Sequence, residues 1–252
     1  MFIFLVLSGD VFMWVETWFT LNEALYALIL CVWVFIVVRV ISKAVYEVAK
    51  GRRGEGSGHY VGVYFARKVI HILAGGLVAL VIPMFNLFKT PLLPLALGMA
   101  FAVFTYLPHR TGKLMYWFQD PGNIYEVDFC IVWALTMSLG WFLGGGNFWF
   151  GVIPVSFMAF GDGVTGIVRN FIFKRRTKHW SGNVAMFLFC APLGYLLGSN
   201  LGPFGGLICV AAALVASIVE HVERIGNYVI DDNITVPLSS LMVLGVLGAL
   251  LL

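Results

Sequence analysis

Charged and polar residues interrupt this apolar sequence at a few places, and two interruptions have spacings that could do chemistry. RKVIH at 67–71 places Lys68 and His71 three residues apart, on one face of a helix. GDG at 161–163 places Asp162 between two glycines within another apolar stretch. A carboxylate there needs a cation, water or a metal to compensate its burial, and the glycines would let a ligand approach the backbone.

A basic loop follows Asp162 directly. RNFIFKRRTKHWSGN at 169–183 carries five cations in its first ten residues. Beside a membrane, such a run is typical of an anchor to anionic headgroups, and it could equally cradle a triphosphate. One short stretch therefore supplies a carboxylate suited to a metal and cations suited to phosphates. Phosphoryl transfer needs this combination.

A further acidic cluster lies near the end of the chain. Glu220 and Glu223 share a helix face. The Asp-Asp-Asn run at 231–233, followed by Pro237, is typical of the start of a helix. Capping needs only one of these residues, and two adjacent carboxylates repel each other unless a cation or a metal is near. We therefore expect such a partner at 231–233.

Composition predicts that all these clusters belong to a membrane protein. Of the 252 residues, 60% are hydrophobic and 12% are charged, and the mean hydropathy is +0.92. A bilayer crossing needs about 20 apolar residues. Eight stretches meet this need: 23–42, 68–88, 91–107, 127–145, 147–168, 183–199, 204–222 and 234–252. The predicted fold is an all-α polytopic bundle with one transmembrane catalytic domain over 23–252.

The N-terminal segment 1–22 is a separate apolar unit in this prediction. Asp10 and Glu16 interrupt residues 1–19, and no basic region precedes them, so a cleaved signal peptide is not expected. This segment is either a ninth crossing or a helix that lies along the interface. The total is then eight or nine helices.

The basic residues predict the orientation. Fifteen of the sixteen Lys and Arg residues lie in or beside alternate gaps between the apolar stretches, and Lys89 is the exception. By the positive-inside rule these gaps are cytoplasmic. All the clusters described above lie at this inner face, where a water-soluble polyanion would meet a lipid. The active site is therefore predicted on the cytoplasmic face of an integral membrane protein.

Several classes of partner are excluded or left open. Nucleic acid is not expected, because the basic residues lie at membrane edges and no soluble domain presents them. No disulfide or metal thiolate is expected from the four cysteines, which lie in apolar stretches without paired spacing: Cys31, Cys130, Cys190 and Cys209. Oligomers are possible because Gly-rich helix surfaces permit close packing. The P-loop and protein-kinase motifs are absent.

At these residues the chain resembles the polyprenol kinase family, which includes dolichol kinase, phytol kinase and the CTP-dependent diacylglycerol kinase. Three stretches carry the resemblance: RKVIH at 67–71, GDGVTGIV at 161–168 with KHWSGN at 178–183, and Glu220 with DDNITVP at 231–237. Together they span roughly residues 60–252. The resemblance implies transfer of the terminal phosphate of a nucleotide, usually CTP, to a membrane alcohol with a divalent metal such as Mg²⁺.

Roles for single residues follow from these clusters and, for Asp162, Lys178, Asp232 and Asn233, from the resemblance. Catalytic candidates are Asp162, His71, Glu220 and Asp232. Nucleotide-binding candidates are Lys68, Gly161, Gly163, Lys174, Arg175, Arg176, Lys178, Gly182 and Asn233. Metal-binding candidates are Asp162, Asp231 and Asp232. The general base stays open among His71, Glu220 and Asp162.

Three positions depart from the family pattern. The family usually has Ala near Thr165, a further Gly near Arg169, and Glu where this chain has Ser181. If that missing carboxylate is needed, either Glu220, Glu223 or Asp128 must replace it or the activity is altered.

The expected activity is therefore a lipid-alcohol kinase that uses CTP or another nucleoside triphosphate. Its acceptor would be an isoprenoid alcohol such as dolichol, phytol or geranylgeraniol. The nearest alternative is a cytidylyltransferase that makes a CDP-lipid, which the kinase-like DDNITVP sequence disfavours. A small polytopic transporter is the alternative from another class, although the polar residues cluster at one face and not at the midplane.

Overall fold

The computed structural model describes residues 19–51, 58–173, 177–222, 224–225, 228–229 and 231–252. Within these ranges the chain is mostly helical. The helices are α1 (Leu21–Gly51), α2 (Gly58–Met84), α3 (Leu92–Thr111), α4 (Tyr125–Leu143), α5 (Trp149–Phe173), α6 (Trp180–Leu201), α7 (Gly205–Val219) and α8 (Asp232–Leu251). Two short antiparallel strands separate α7 from α8: β1 (Arg224–Ile225) and β2 (Tyr228–Val229). The predicted all-α polytopic membrane bundle is confirmed.

The first two helices are longer than the predicted apolar stretches, α1 at its C-terminal end and α2 at its N-terminal end. α1 continues to residue 51 and α2 begins at residue 58, although the apolar stretches cover 23–42 and 68–88. The two extensions pack closely against each other. A Cβ added to Gly62 on α2 would lie only 2.6 Å from a ring carbon of Tyr46 on α1. The Tyr46 hydroxyl also lies 2.9 Å from His59 Nδ1. Packing between neighbours thus sustains these helices beyond the apolar stretches.

The seventh helix is shorter than predicted. The stretch 204–222 was expected to cross the membrane, but α7 has only 15 residues. Its length of about 22 Å is less than the roughly 30 Å of hydrocarbon in a bilayer. The helix ends just before Glu220, whose carboxylate accepts hydrogen bonds from Arg169 and Lys178. Seven described helices are long and apolar enough to cross a membrane.

Some predicted features lie outside the described residues. These are the N-terminal apolar segment up to residue 18, the cations Lys174, Arg175 and Arg176, and Glu223. Their expected roles stay predictions.

Helix α5 is the central element of the bundle. Within its most apolar window, 72% of the residues are buried, against 22–50% for the other six long helices. It packs against α2, α4, α6 and α8. The contact with α4 is especially close, since a Cβ on Gly140 would lie 2.2 Å from the Cα of Gly151. Because Asp162 lies on α5, the helix that carries this carboxylate is held on several sides.

Three helices contain a π-helical turn. The turns are Val37–Ile41 in α1, His71–Gly76 in α2 and Phe157–Gly161 in α5. The turns of α2 and α5 contact each other. Carbonyl groups in the α2 turn accept bonds from other helices: Trp33 Nε1 donates to Leu73 O and Trp133 Nε1 to Gly75 O, both at 3.0 Å. Such turns are frequent at functional sites. Here the α2 turn begins at His71, and the α5 turn ends just before Asp162.

Replacing Gly140 by Ala tests the close packing of α4 and α5. The added Cβ would contact Gly151 backbone atoms at 2.2–2.3 Å, so the helices must separate. We expect a loss of about 1–3 kcal/mol in the free energy of unfolding, measured by reversible denaturation in detergent micelles. Gly245→Ala on α8 is the matched control, because nothing lies within 4 Å of its Cβ. Equal stability of the two variants would contradict the close approach.

Candidate active site

A cavity of about 920 Å³ lies among the first five helices and the start of α8. It is where the sequence-selected residues from distant parts of the chain meet. Eight of them line it: Lys68, His71, Asp162, Lys178, Glu220, Asp231, Asp232 and Asn233. The cavity is therefore the candidate active site.

Asp162 is compensated by two side chains from α2. Lys68 Nζ forms an ion pair with Asp162 Oδ1, and His71 Nδ1 lies 2.9 Å from Asp162 Oδ2. A carboxylate can only accept hydrogen bonds, so His71 Nδ1 carries the proton in this pair and Nε2 is the acceptor nitrogen. The compensating cation expected for the Asp162 carboxylate is thus Lys68.

Aromatic rings hold the two α2 side chains in place. The His71 ring stacks on Phe129, with centroids 4.1 Å apart and planes 13° from parallel. Lys68 Nζ lies 5.1 Å from the centroid of the Tyr64 ring, which gives a cation–π contact. The imidazole is therefore oriented by a hydrogen bond at one nitrogen and by packing against its face.

Glu220 is the buried centre of a second network. Only 1% of the residue is exposed. Its Oε1 accepts bonds from Arg169 Nη1 at 2.8 Å and Lys178 Nζ at 2.9 Å. Its Oε2 accepts bonds from Arg169 Nη2 at 2.8 Å and Asn183 Nδ2 at 2.9 Å. A carboxylate has about four acceptor positions, so these bonds use them all.

Lys178 connects the Glu220 network to α8. Its Nζ donates to Glu220 Oε1, to the Glu220 carbonyl at 3.0 Å, and to Asp232 Oδ2 at 2.9 Å. Burial alone would lower the Lys178 pKa, but the Asp232 and Glu220 carboxylates outweigh it and raise the pKa above its usual value. All three donors of the ammonium group are engaged. A phosphate at Lys178 would have to replace one of these acceptors.

The run 231–233 both caps α8 and leaves two oxygens without partners. Asp231 Oδ1 accepts a bond from the Asn233 amide at 3.0 Å, which confirms the predicted cap. Asp231 Oδ2 and Asn233 Oδ1 are buried and have no hydrogen-bond partner among the described residues. Burial, aided by the charges of Asp232 and Asp128, raises the Asp231 pKa to about 7.

These two oxygens fit a magnesium ion better than the other predicted ligands do. Mg²⁺ is usually held by one or two carboxylates together with waters and substrate phosphates. Asp231 Oδ2 and Asn233 Oδ1 supply such donors, whereas Asp162 and Asp232 are already paired with lysines. No group of three or more His, Cys, Asp or Glu residues able to hold a metal occurs in the described part of the chain. The residues thus suit an open site that a ligand completes.

The three sequence-selected glycines do not line the cavity; these are Gly161, Gly163 and Gly182. A Cβ on Gly182 would lie 2.2 Å from Arg169 Nε, and one on Gly163 would lie 2.9 Å from Ile72 Cδ1. Their missing side chains make room for neighbouring protein atoms and not for a ligand. Close helix packing is the physical reason for glycine at these positions.

Some cavity residues were not selected from the sequence. Arg169 was named from the sequence only in the basic run and as a departure from the family pattern, yet its guanidinium group binds Glu220. Tyr64 and Gly166 also line the cavity. A Cβ on Gly166 would lie 1.8 Å from the Tyr64 hydroxyl, so glycine is needed there. The sequence spacing could have pointed to Gly166 and Arg169, because they follow Asp162 by four and seven residues and therefore lie on the same helix face.

A second polar group along the cavity was also missed. Glu126 Oε1 lies 2.6 Å from His109 Nε2 and accepts a bond from Gln119 Nε2 at 2.8 Å. Arg67 Nη2 lies 3.7 Å from Glu126 Oε2. Arg67, next to Lys68 in sequence, therefore turns toward α4, while Lys68 turns toward α5.

Comparison with known proteins gives one partial similarity. The chain is 34% identical over 110 residues to a probable chloroplastic phytol kinase 2 of Glycine max. The matched region covers 37% of this chain and 36% of that protein, so about a third of the relative's length is represented. No protein-family model matches the chain, and no solved structure matches it. The similarity extends at most to a kinase-like family of the polyprenol or phytol type.

Proposed function

We propose that this integral membrane protein is a lipid-alcohol kinase that transfers the γ-phosphate of CTP, or of another nucleoside triphosphate, to an isoprenoid alcohol. One observation carries the proposal. The oriented pair His71–Asp162 lines a cavity that is also lined by lysines and carboxylates on one side and by apolar side chains on the other. The partial similarity to a phytol kinase supports the same chemistry. Dolichol, phytol and geranylgeraniol are the candidate acceptors.

His71 is the proposed general base. The alcohol hydroxyl gives its proton to His71 Nε2 as its oxygen attacks the γ-phosphorus. The bond from that phosphorus to the bridging oxygen of the β-phosphate breaks, and the nucleoside diphosphate leaves. Asp162 keeps His71 in the required tautomer and stabilises the imidazolium that forms. The remaining candidate bases are less suitable, because Glu220 has all its acceptor positions filled and Asp162 is paired with Lys68.

The cations around the cavity are proposed to bind the phosphates. Lys68 pairs with Asp162, and Lys178, between α5 and α6, donates to Asp232 at the start of α8. From the sequence, the cations at 174–176, which lie outside the described residues, are proposed to take part as well. Positive charge near the transferring phosphoryl group stabilises the charge of the transition state. Glu220 would act as a positioning residue, because it fixes Arg169 and Lys178.

Asp231 and Asn233 are proposed to hold Mg²⁺ through their unpartnered oxygens. When bound, the ion would neutralise charge on the β- and γ-phosphates. CTP as the donor follows from the family resemblance. On the basis of the positive-inside pattern, this face is proposed to lie toward the cytoplasm. The proposed membrane is the cell membrane in a prokaryote and the endoplasmic reticulum or another internal membrane in a eukaryote.

Labelled nucleotide tests the proposed activity. The purified protein is incubated in lipid with Mg²⁺, prenyl alcohols and diacylglycerol, with CTP labelled at the α- or the γ-phosphate. We expect label in the extracted lipid from the γ position alone. Label from the α position would identify a cytidylyltransferase. No transfer from CTP, ATP or GTP would reject the kinase and favour a transporter.

Asp162→Asn tests the role of the carboxylate. We expect turnover to fall at least about a hundredfold, which corresponds to roughly 2.7 kcal/mol of activation free energy, because the amide no longer stabilises the imidazolium. Initial rates with saturating substrates measure the effect. Glu47→Gln, an exposed carboxylate on α1, serves as the control and should retain full turnover.

A double variant separates catalysis from stability in this experiment. Asp162→Asn leaves the Lys68 charge buried without its partner, which lowers stability. Adding Lys68→Met removes that charge, so the thermal midpoint should recover. Because Lys68 is itself a proposed phosphate ligand, Lys68→Met alone is measured beside the double variant, which should turn over more slowly than this single variant. Recovery of turnover together with stability would show that Asp162 has only a structural role.

Glu220→Gln tests the division between positioning and catalysis. Replacing this buried carboxylate removes the charge that balances Arg169 and Lys178, so we expect a loss of about 3–5 kcal/mol in the free energy of unfolding. Denaturation in micelles measures it, and Glu47→Gln should stay within about 0.5 kcal/mol. A Glu220→Gln protein with native stability but no turnover would instead assign Glu220 to the chemistry.

A further inference from the structure

The cavity continues beyond His71 into an apolar chamber between α1, α2, α3 and α4. On α2 its lining residues beyond His71 include Ala74, Val78 and Ile82. These positions recur every three or four residues, so they lie on one face of the helix. Their side chains carry no polar atom. The chamber wall on α2 therefore changes from charged to apolar within one turn of His71.

The other three helices contribute apolar side chains to the same chamber. Leu30 and Val34 line it from α1, Leu97 and Phe101 from α3, and Trp133 from α4. Of these, Leu30, Val34 and Trp133 are buried, as are Val78 and Ile82 on α2. The apolar part of the cavity is therefore lined largely by side chains that the helix bundle buries.

The length of the chamber can be estimated from α2. Ile82 lies eleven positions after His71, which corresponds to about 15 Å along the helix at roughly 1.5 Å per residue, with allowance for the wider π turn. An extended chain advances about 1.2 Å per bond, since a residue of three backbone bonds spans at most about 3.3–3.6 Å. About a dozen bonds therefore fit, which corresponds to roughly three isoprene units.

We propose that this chamber encloses the tail of the acceptor alcohol and that Val78 and Ile82 limit the length of tail that the protein accepts. The inference rests on the proposed function, because it assumes that the hydroxyl lies at His71. An alcohol of three or four isoprene units fills the space, with at most its last unit folded back. A long polyprenol has to pass between helices into the bilayer and loses the enclosed contacts. The chamber therefore favours short prenyl alcohols over long ones.

Phenylalanine substitutions along α2 test this limit. The kcat/KM is measured for prenyl alcohols of two, three and four units and for a polyprenol of more than ten. The unmodified protein should prefer three or four units over the polyprenol by about tenfold or more, as pocket fit commonly gives. Val78→Phe should lower kcat/KM for the four-unit alcohol at least about tenfold relative to the two-unit alcohol. Ile82→Phe, one turn farther from His71, should give a smaller shift in the same direction.

Leu77→Phe is the matched control. Leu77 precedes Val78 on the same helix, is 38% exposed and does not line the cavity. Its chain-length profile should equal that of the unmodified protein. An identical shift in Leu77→Phe, or unchanged profiles in both chamber variants, would overturn the proposed limit.

Fluorescence of Trp133 tests tail binding without any reaction. Its indole is held by a hydrogen bond to the Gly75 carbonyl, and its signal is obtained by difference from Trp133→Phe. A four-unit alcohol brominated at the end of its tail should quench this signal saturably without nucleotide, and Val78→Phe should weaken that quenching.

The two measurements separate the chamber from the kinase. Saturable quenching without phosphorylation of any alcohol would support the chamber and reject the proposed kinase. Phosphorylation without saturable quenching would support the kinase and reject the enclosed tail.

Discussion

Neutralisation of one buried carboxylate, Glu220, organises the polar end of this helix bundle. Arg169 approaches it from α5, Asn183 from α6 and Lys178 from the segment between them. A charge this deeply buried is tolerable only when its partners occupy its lone pairs, and here all four acceptor positions are filled. Lys178 then reaches Asp232, which joins the start of α8 to the same network. The positions of several helix ends therefore depend on one another.

A smaller pairing between α2 and α5 sets the geometry of the two residues proposed to react. Asp162 follows the π turn of α5, and His71 begins the π turn of α2. The turns bring the two residues together, and Phe129 fixes the imidazole plane. The Glu220 network is saturated and suits a structural role, whereas the His71–Asp162 pair keeps an acceptor nitrogen and suits proton transfer.

The cavity combines chemical properties that a kinase for a lipid alcohol needs. Its charged part can receive a nucleotide, and its apolar part continues between four helices. The unpartnered oxygens of Asp231 and Asn233 lie at the charged part, where a divalent cation would meet the phosphates. Because buried side chains of these helices line the apolar part, under the proposed function the protein and not the bilayer would surround the reacting end of the lipid.

The sequence by itself determined the membrane bundle, the gathering of polar residues at one face, the cap at Asp231 and the need for a partner at Asp162. These follow from hydropathy and from spacing along a helix, which are local properties. Only the tertiary structure decided which partner each charge has, because Lys68 and Asp162 are 94 residues apart and Arg169 and Glu220 are 51 apart. Glycines expected to admit a ligand instead admit neighbouring helices, since side-chain packing decides what fills the space beside them. The chamber likewise exists only where apolar faces of four helices meet, and no single stretch of sequence encodes that meeting.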